Sequence, residues 1–175
     1  AETAREYMNL QGHKEGINAV SWQPDSNVLA SASADNDVKL WAMIDGKNIK
    51  SFGAHGGGAE WVSYTHDGRL VTAGRDKIAK VWAGDGKELA KTPGFGDLTL
   101  RACFNHDSTK IVVGDWSGEI RVYKVEGMQE LGKLKAVTPT YDEMIASLQA
   151  DIGTFDKAAT DTSAAAAAAK QAFDN

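Results

Sequence analysis

Short runs of apolar or alternating residues, separated by turn chemistry, recur along most of the chain. The first set is Ile17–Trp22, Val28–Ser33, Val38–Met43 and Asn48–Phe52, broken by Gln23-Pro24-Asp25-Ser26, Asp35-Asn36-Asp37 and Asp45-Gly46. Links of this length, rich in Asp, Asn and Gly, are what antiparallel hairpins need, so the set predicts a four-stranded meander. A second set follows the same plan through Ala59–Tyr64, Arg69–Gly74, Ile78–Trp82 and Glu88–Thr92, and a third through Leu98–Phe104, Lys110–Gly114, Ile120–Val125 and Gln129–Lys135. The third run of each set closes on an aromatic ring, and these rings, Trp41, Trp82 and Tyr123, stand 41 residues apart. A period of that size marks a repeat architecture in which each unit is one small sheet.

After Pro139 the pattern changes. Tyr141, Ile145, Leu148, Ile152, Phe155, Ala159, Thr162, Ala166, Ala169 and Phe173 follow steps of four and three residues. That is a heptad seam, with Thr138 or Thr140 as N-cap and Asp142-Glu143 suited to the first turn's dipole. The spacing predicts an Ala-rich, coiled-coil-like helix over 139–175, weakened by Gly153 and by Thr160–Ser163. It reads as an oligomerisation arm, a helix lying on the last sheet, a linker, or a helix that frays beyond Gly153.

The residues of the first unit resemble a WD40 repeat. Gly12-His13, Val20-Ser21-Trp22, Pro24-Asp25, Leu29-Ala30-Ser31-Ala32-Ser33, Asp35 and Val38-Lys39-Leu40-Trp41 fall where that family places its Gly-His start, its turn and its closing Trp. The resemblance implies an all-β fold: three four-stranded antiparallel blades, about 12–53, 54–93 and 94–136, forming part of a β-propeller over 1–138, followed by the C-terminal α-helix. It also implies a buried hydrogen-bonded tetrad in each blade. Carried over by position, the tetrads are His13, Ser31, Asp35 and Trp41, then His55, Thr72, Asp76 and Trp82. In the third blade the same offsets land on Phe95, Val113, Ser117 and Tyr123, which puts its network in doubt but not its strands. A Ser-His-Asp set also suggests nucleophilic catalysis. Two copies at one repeat offset, each linked to a Trp, point instead to structure.

Arg5–Leu10 precedes His13 as Asn48–Phe52 precedes His55, which predicts an outer strand over 5–10 without a sheet of its own. The third blade already has a fourth strand, so ring closure does not explain it. The expectation is that these are the last three blades of a longer propeller. If the chain is complete, self-association through open blade faces or the tail is the alternative.

Composition narrows the partners. Residues 1–138 carry 18 acidic and 17 basic side chains, and residues 139–175 carry 6 and 2. Neither part offers the basic stripe that nucleic acid or an anionic membrane surface requires. Cys103 is the only cysteine, excluding an intrachain disulfide and paired-cysteine metal or haem motifs, and its strand context predicts a buried thiol. His66 and His106 each precede a turn aspartate, and equivalent positions on different blades are expected to lie too far apart to share a metal. No cofactor motif is present, and no stretch is apolar enough to span a bilayer.

By the resemblance, partners dock on the rim formed by the loop entering each first strand and the turn between second and third strands. There the repeat places Ala34, Arg75 and Trp116, with Gly16, Asn18, Gly58, Glu60, Leu98 and Leu100. Asn18, Glu60, Arg75, Leu98, Leu100 and Trp116 are the partner-binding candidates, the last three forming an apolar segment suited to a hot spot. The expected function is a non-catalytic scaffold binding a protein or peptide. The alternative is an accessory region of a larger bacterial enzyme or cytochrome-c-like electron-transfer protein whose active domain lies upstream.

Overall fold

The strand Leu70–Gly74 is buried on both faces, because a neighbouring sheet packs on either side of its own. The computed structural model describes residues 6–135 throughout, and beyond them Ile145, Ala146, Leu148, Gln149, Ile152, Gly153, Lys157 and Thr162. Blade 1 consists of β1 (Ile17–Trp22), β2 (Val28–Ser33), β3 (Asp37–Ala42) and β4 (Asn48–Gly53). Blade 2 consists of β5 (Ala59–Tyr64), β6 (Leu70–Gly74), β7 (Ala79–Trp82) and β8 (Glu88–Lys91). Blade 3 consists of β9 (Thr99–Phe104), β10 (Lys110–Asp115), β11 (Glu119–Lys124) and β12 (Gln129–Lys135). Each is a four-stranded antiparallel sheet in sequential order, as the hydrophobic pattern predicts.

The register repeats with the sequence. Ser31 stands opposite Val20 and Lys39, Thr72 opposite Val62 and Lys80, and Val113 opposite Ala102 and Arg121. The core therefore forms between blades. Ala30, Ala32, Val38 and Leu40 of blade 1 pack on Ala59, Val62 and Leu70 of blade 2. Val71, Ala73, Ala79 and Val81 of blade 2 pack on Ala102, Ile111, Val113 and Tyr123 of blade 3. Burial follows: Val62 and Ala102 are each 1% exposed, while Val20, their equivalent in blade 1, is 56% exposed on the face turned away from blade 2.

Three expectations are corrected. The strand expected over 5–10 is not formed: residues 6–10 belong to no sheet, since no third strand lies alongside to complete a ladder. They nonetheless occupy the place of an outer strand. A Cβ on Gly46 would meet Met8 and Leu10, just as one on Gly86 would meet Lys50 and Phe52 of blade 1. Cys103 is exposed rather than buried. It shares a side of the innermost strands with Ser63, and both border the cavity described below rather than a core.

The C-terminal α-helix and coiled coil are not supported either. Most of the heptad seam lies outside the described residues. The eight described positions from Ile145 to Thr162 have helical backbone but are too scattered to make up an element, and Leu148 and Ile152 stand exposed. The chain divides into two units, Ala1–Ala136 and Val137–Asn175. Among the described residues the helical elements comprise a 3-10 turn, Glu126–Met128, and no helix is long and apolar enough to cross a membrane.

Candidate functional site

In blade 1 the Trp41 ring N–H donates to Ser31 Oγ at 2.8 Å, and Ser31 Oγ lies 2.7 Å from His13 Nε2. His13 Nδ1 lies 2.9 Å from Asp35 Oδ2. Since Ser31 already accepts the indole proton, its own hydroxyl proton goes to Nε2, and His13 then carries its hydrogen on Nδ1 and donates it to Asp35. The ring nitrogens of His13, the Ser31 hydroxyl and the Trp41 ring N–H are all satisfied in that state. Asp35 also accepts from the backbone N–H of Lys14 at 2.8 Å and of Asp37 at 3.1 Å. Burial pushes the Asp35 carboxyl up, but the bonds from Lys14, His13, Asp37 and Ser33 outweigh it and hold its pKa at about 2.

Blade 2 repeats the network with Trp82 to Thr72 at 2.8 Å, Thr72 to His55 at 2.7 Å and His55 to Asp76 at 2.7 Å. His55 is fully enclosed, and Gly74 makes room for it: a Cβ there would stand 2.4 Å from the His55 Cβ and Cγ. Burial raises the Asp76 carboxyl, and the His55 hydrogen bond with nearby Lys80 brings it below the usual carboxylate range. A nucleophilic hydroxyl needs access to substrate. Ser31 and Thr72 are both buried, so these sets bind strands and loops together rather than present a reactive oxygen.

Blade 3 fills the same positions differently. Phe95 and Tyr123 meet edge to face at 6.3 Å, and the Arg121 guanidinium lies over the Phe95 ring at 4.4 Å. Arg121 Nη2 donates to Glu119 at 2.7 Å, and Nη1 donates to Gly94 O at 3.3 Å and lies within 3.4 Å of the Tyr123 hydroxyl. Hydrogen bonds from Arg121 and Lys133 hold Glu119 at about 2, and the same Glu119 bond raises Arg121 further above its ordinary value. Arg121 Nε is buried without a partner. The carboxylate that ties the loops has moved two residues earlier, to Asp115, which accepts from Ser117 Oγ at 2.7 Å and Glu119 N at 2.9 Å. The sequence reading did not assign Arg121 a role. Its signal was the cation two residues before each closing aromatic ring: Lys39, Lys80 and Arg121.

The rim candidates come together through one repeated hydrogen bond. Ala34 N donates to Gly16 O, Arg75 N to Gly58 O and Trp116 N to Leu98 O, at 3.0, 3.1 and 2.9 Å. Each joins the turn after the second strand to the loop entering the first. Asn18 is exposed, and its side chain donates to Ala59 O of blade 2 at 3.0 Å. Arg75 Nε donates to Glu60 at 2.5 Å, with the arginine half exposed. Leu98 and Leu100 are half-buried, whereas Trp116 is 68% exposed. The edge thus runs from a polar stretch on blade 2 to an apolar one on blade 3.

Repeated four-stranded blades, packed face to face and each pinned between its first and third strands, define a WD40-type β-propeller segment. The family described as "WD domain, G-beta repeat" matches residues 5–42 and 46–83, and the chain belongs to the WD40 β-propeller family. Apoptotic protease-activating factor 1 of Homo sapiens is 33% identical over 118 residues, which span 66% of this chain and 9% of that protein. A guanine nucleotide-binding protein subunit beta-like protein of Encephalitozoon cuniculi is 30% identical over 169 residues, 83% of this chain and 50% of that one. The chain therefore spans half or less of the length of these relatives. Among solved structures, U3-55K superposes with a TM-score of 0.68 at 18% identity, over 71% of this chain and 41% of that one. The computationally designed Ika4 protein superposes at 0.67 and 24% identity, over 75% and 80%. These two show the shared fold. WD40 propeller domains commonly mediate protein interactions, and relatives of this kind are typically non-enzymatic scaffolds.

Proposed function

We propose that this chain is a non-catalytic scaffold that binds a protein or peptide along the edge formed by Asn18, Glu60, Arg75, Leu98, Leu100 and Trp116. The observation that carries the reading is Trp116: a large aromatic side chain, 68% exposed, on a turn fixed by a backbone hydrogen bond to Leu98. An exposed indole on a turn whose backbone is fixed, near two partly buried leucines, has the composition of an interface anchor. The exposed Glu60–Arg75 pair adds charge that a partner can re-pair, and such surface pairs stabilise the fold itself only slightly. The relatives lend no support to an accessory role beside an upstream enzyme or haem domain.

The test is partner capture from a lysate of the source organism by the immobilised chain, comparing the wild type with W116A. The variant loses the captured protein while its circular dichroism and unfolding curve stay the same. Equal capture by both removes Trp116 from the interface.

A second surface follows from Val20. The face of blade 1 turned away from blade 2 exposes Ile17, Val20 and Trp22, and their counterparts Ala59 and Val62 are buried by blade 1. If the chain is complete, self-association through such faces predicts a solution mass at least twice that of the chain. A monodisperse monomer contradicts it.

A further inference from the structure

Of the four histidines, two are committed to the blades. His13 and His55 each engage both ring nitrogens. His66 and His106 make no hydrogen bond and no ion pair, and both are exposed. They occupy the same position in blades 2 and 3, just before the aspartate of the turn leaving the innermost strand. The expected separation is overturned: their rings meet edge to face with centroids 5.4 Å apart and planes at 69°. The reason is the convergence of innermost strands at the propeller axis, where the Trp61 ring N–H of β5 donates to Ala102 O of β9 at 2.8 Å. Both imidazoles border a cavity of about 380 Å³, walled by Trp22, Tyr64 and Phe104 and reached by the free thiol of Cys103.

We propose that His66 and His106 form a two-imidazole site for a late first-row divalent metal ion, with water completing the coordination. Metal–nitrogen bonds of about 2.0–2.1 Å put an ion about 3.2 Å from each ring centre, and centres at the observed separation then subtend about 115° at the metal, inside the tetrahedral-to-trigonal range. Both side chains are exposed and uncommitted, so rotation about their torsions costs little and directs one nitrogen from each ring to the ion. The aromatic wall shields one side of the site. Among the described residues no three His, Cys, Asp or Glu side chains are placed to hold a metal together. The site is therefore open, with two protein ligands, and its preference is copper over nickel and zinc.

Titration calorimetry of the 175-residue chain with Cu²⁺, Ni²⁺ and Zn²⁺ tests the site, using the wild type, H66A, H106A and C103S. The wild type binds one ion per chain, tightest for Cu²⁺, and either histidine variant weakens binding by about tenfold or more. C103S binds as the wild type does. All three substituted side chains are exposed, so circular dichroism of the variants should match the wild type. Absence of saturable binding in the wild type, or undiminished binding in H66A and H106A, overturns the site. Loss of binding in C103S also overturns it, by moving the metal onto the thiol.

Discussion

Blades 2 and 3 are neighbours with the same strand order and register, yet their loops are held by different chemistry. In blade 2 a hydrogen-bonded relay runs from Trp82 through Thr72 and an enclosed His55 to the Asp76 carboxylate, with both ring nitrogens of the histidine engaged. In blade 3 an arginine spans Phe95, Tyr123 and Glu119, with one buried nitrogen left over. The blade architecture thus needs two positions filled and cross-linked: the residue entering the first strand and the ring closing the third. It does not need the particular tetrad. A partly exposed charged cluster is adaptable, whereas a relay through a fully enclosed histidine is costly to leave incomplete.

The largest expected effect tests the enclosed relay. Replacing His55 by Ala leaves a cavity and strips Thr72 and Asp76 of their partner, and should cost about 3 kcal/mol in urea unfolding. F95L in blade 3, which keeps an apolar filler, should cost less than half of that.

Acid should separate the blades next. Asp35 holds a pKa of about 2 against 3.8 ordinarily, so the folded state binds its proton more weakly than the unfolded chain. Its contribution, about 2 kcal/mol, is complete above about pH 4 and is lost as pH falls through about 2. The urea midpoint of D35N should therefore fall less steeply between about pH 5 and 2 than that of the wild type. F95L, at the histidine position of blade 3, removes no carboxylate's partner and should leave the slope unchanged.

Arg121→Met comes third, at about 1 kcal/mol. The substitution forfeits the cation–π contact and the Glu119 bond but removes the orphaned Nε. A loss as large as that of H55A would mean that the two blades depend equally on their polar clusters.

Most of the blade plan was legible because it is periodic. Strand starts, turns and the closing rings recur at one spacing, and face-to-face sheets require apolar residues on both sides, as Val71 and Leu70 show in one strand. Contacts between repeats were less legible, because periodicity says nothing about how close equivalent residues of adjacent blades lie. His66 and His106 were misplaced for that reason. Cys103 was misread because its strand faces a cavity at that register. Arg121 was missed because its role depends on Phe95, a departure from the repeat. Residues 6–10 have the composition of a strand, but a strand is a pairing rather than a property of one segment.

The smallest effect on stability belongs to the rim. W116A should change the unfolding free energy by less than about 0.5 kcal/mol, because the indole is exposed and only its backbone is engaged. Function is where it should matter. The most direct measurement is site-specific photo-crosslinking in the source organism, with a benzophenone amino acid at position 116 or, as control, at Leu89 on the exposed fourth strand of blade 2. A protein adduct from position 116 and none from position 89 is the predicted result. Adducts from position 89 alone, or equally from both, would contradict a binding edge centred on Trp116.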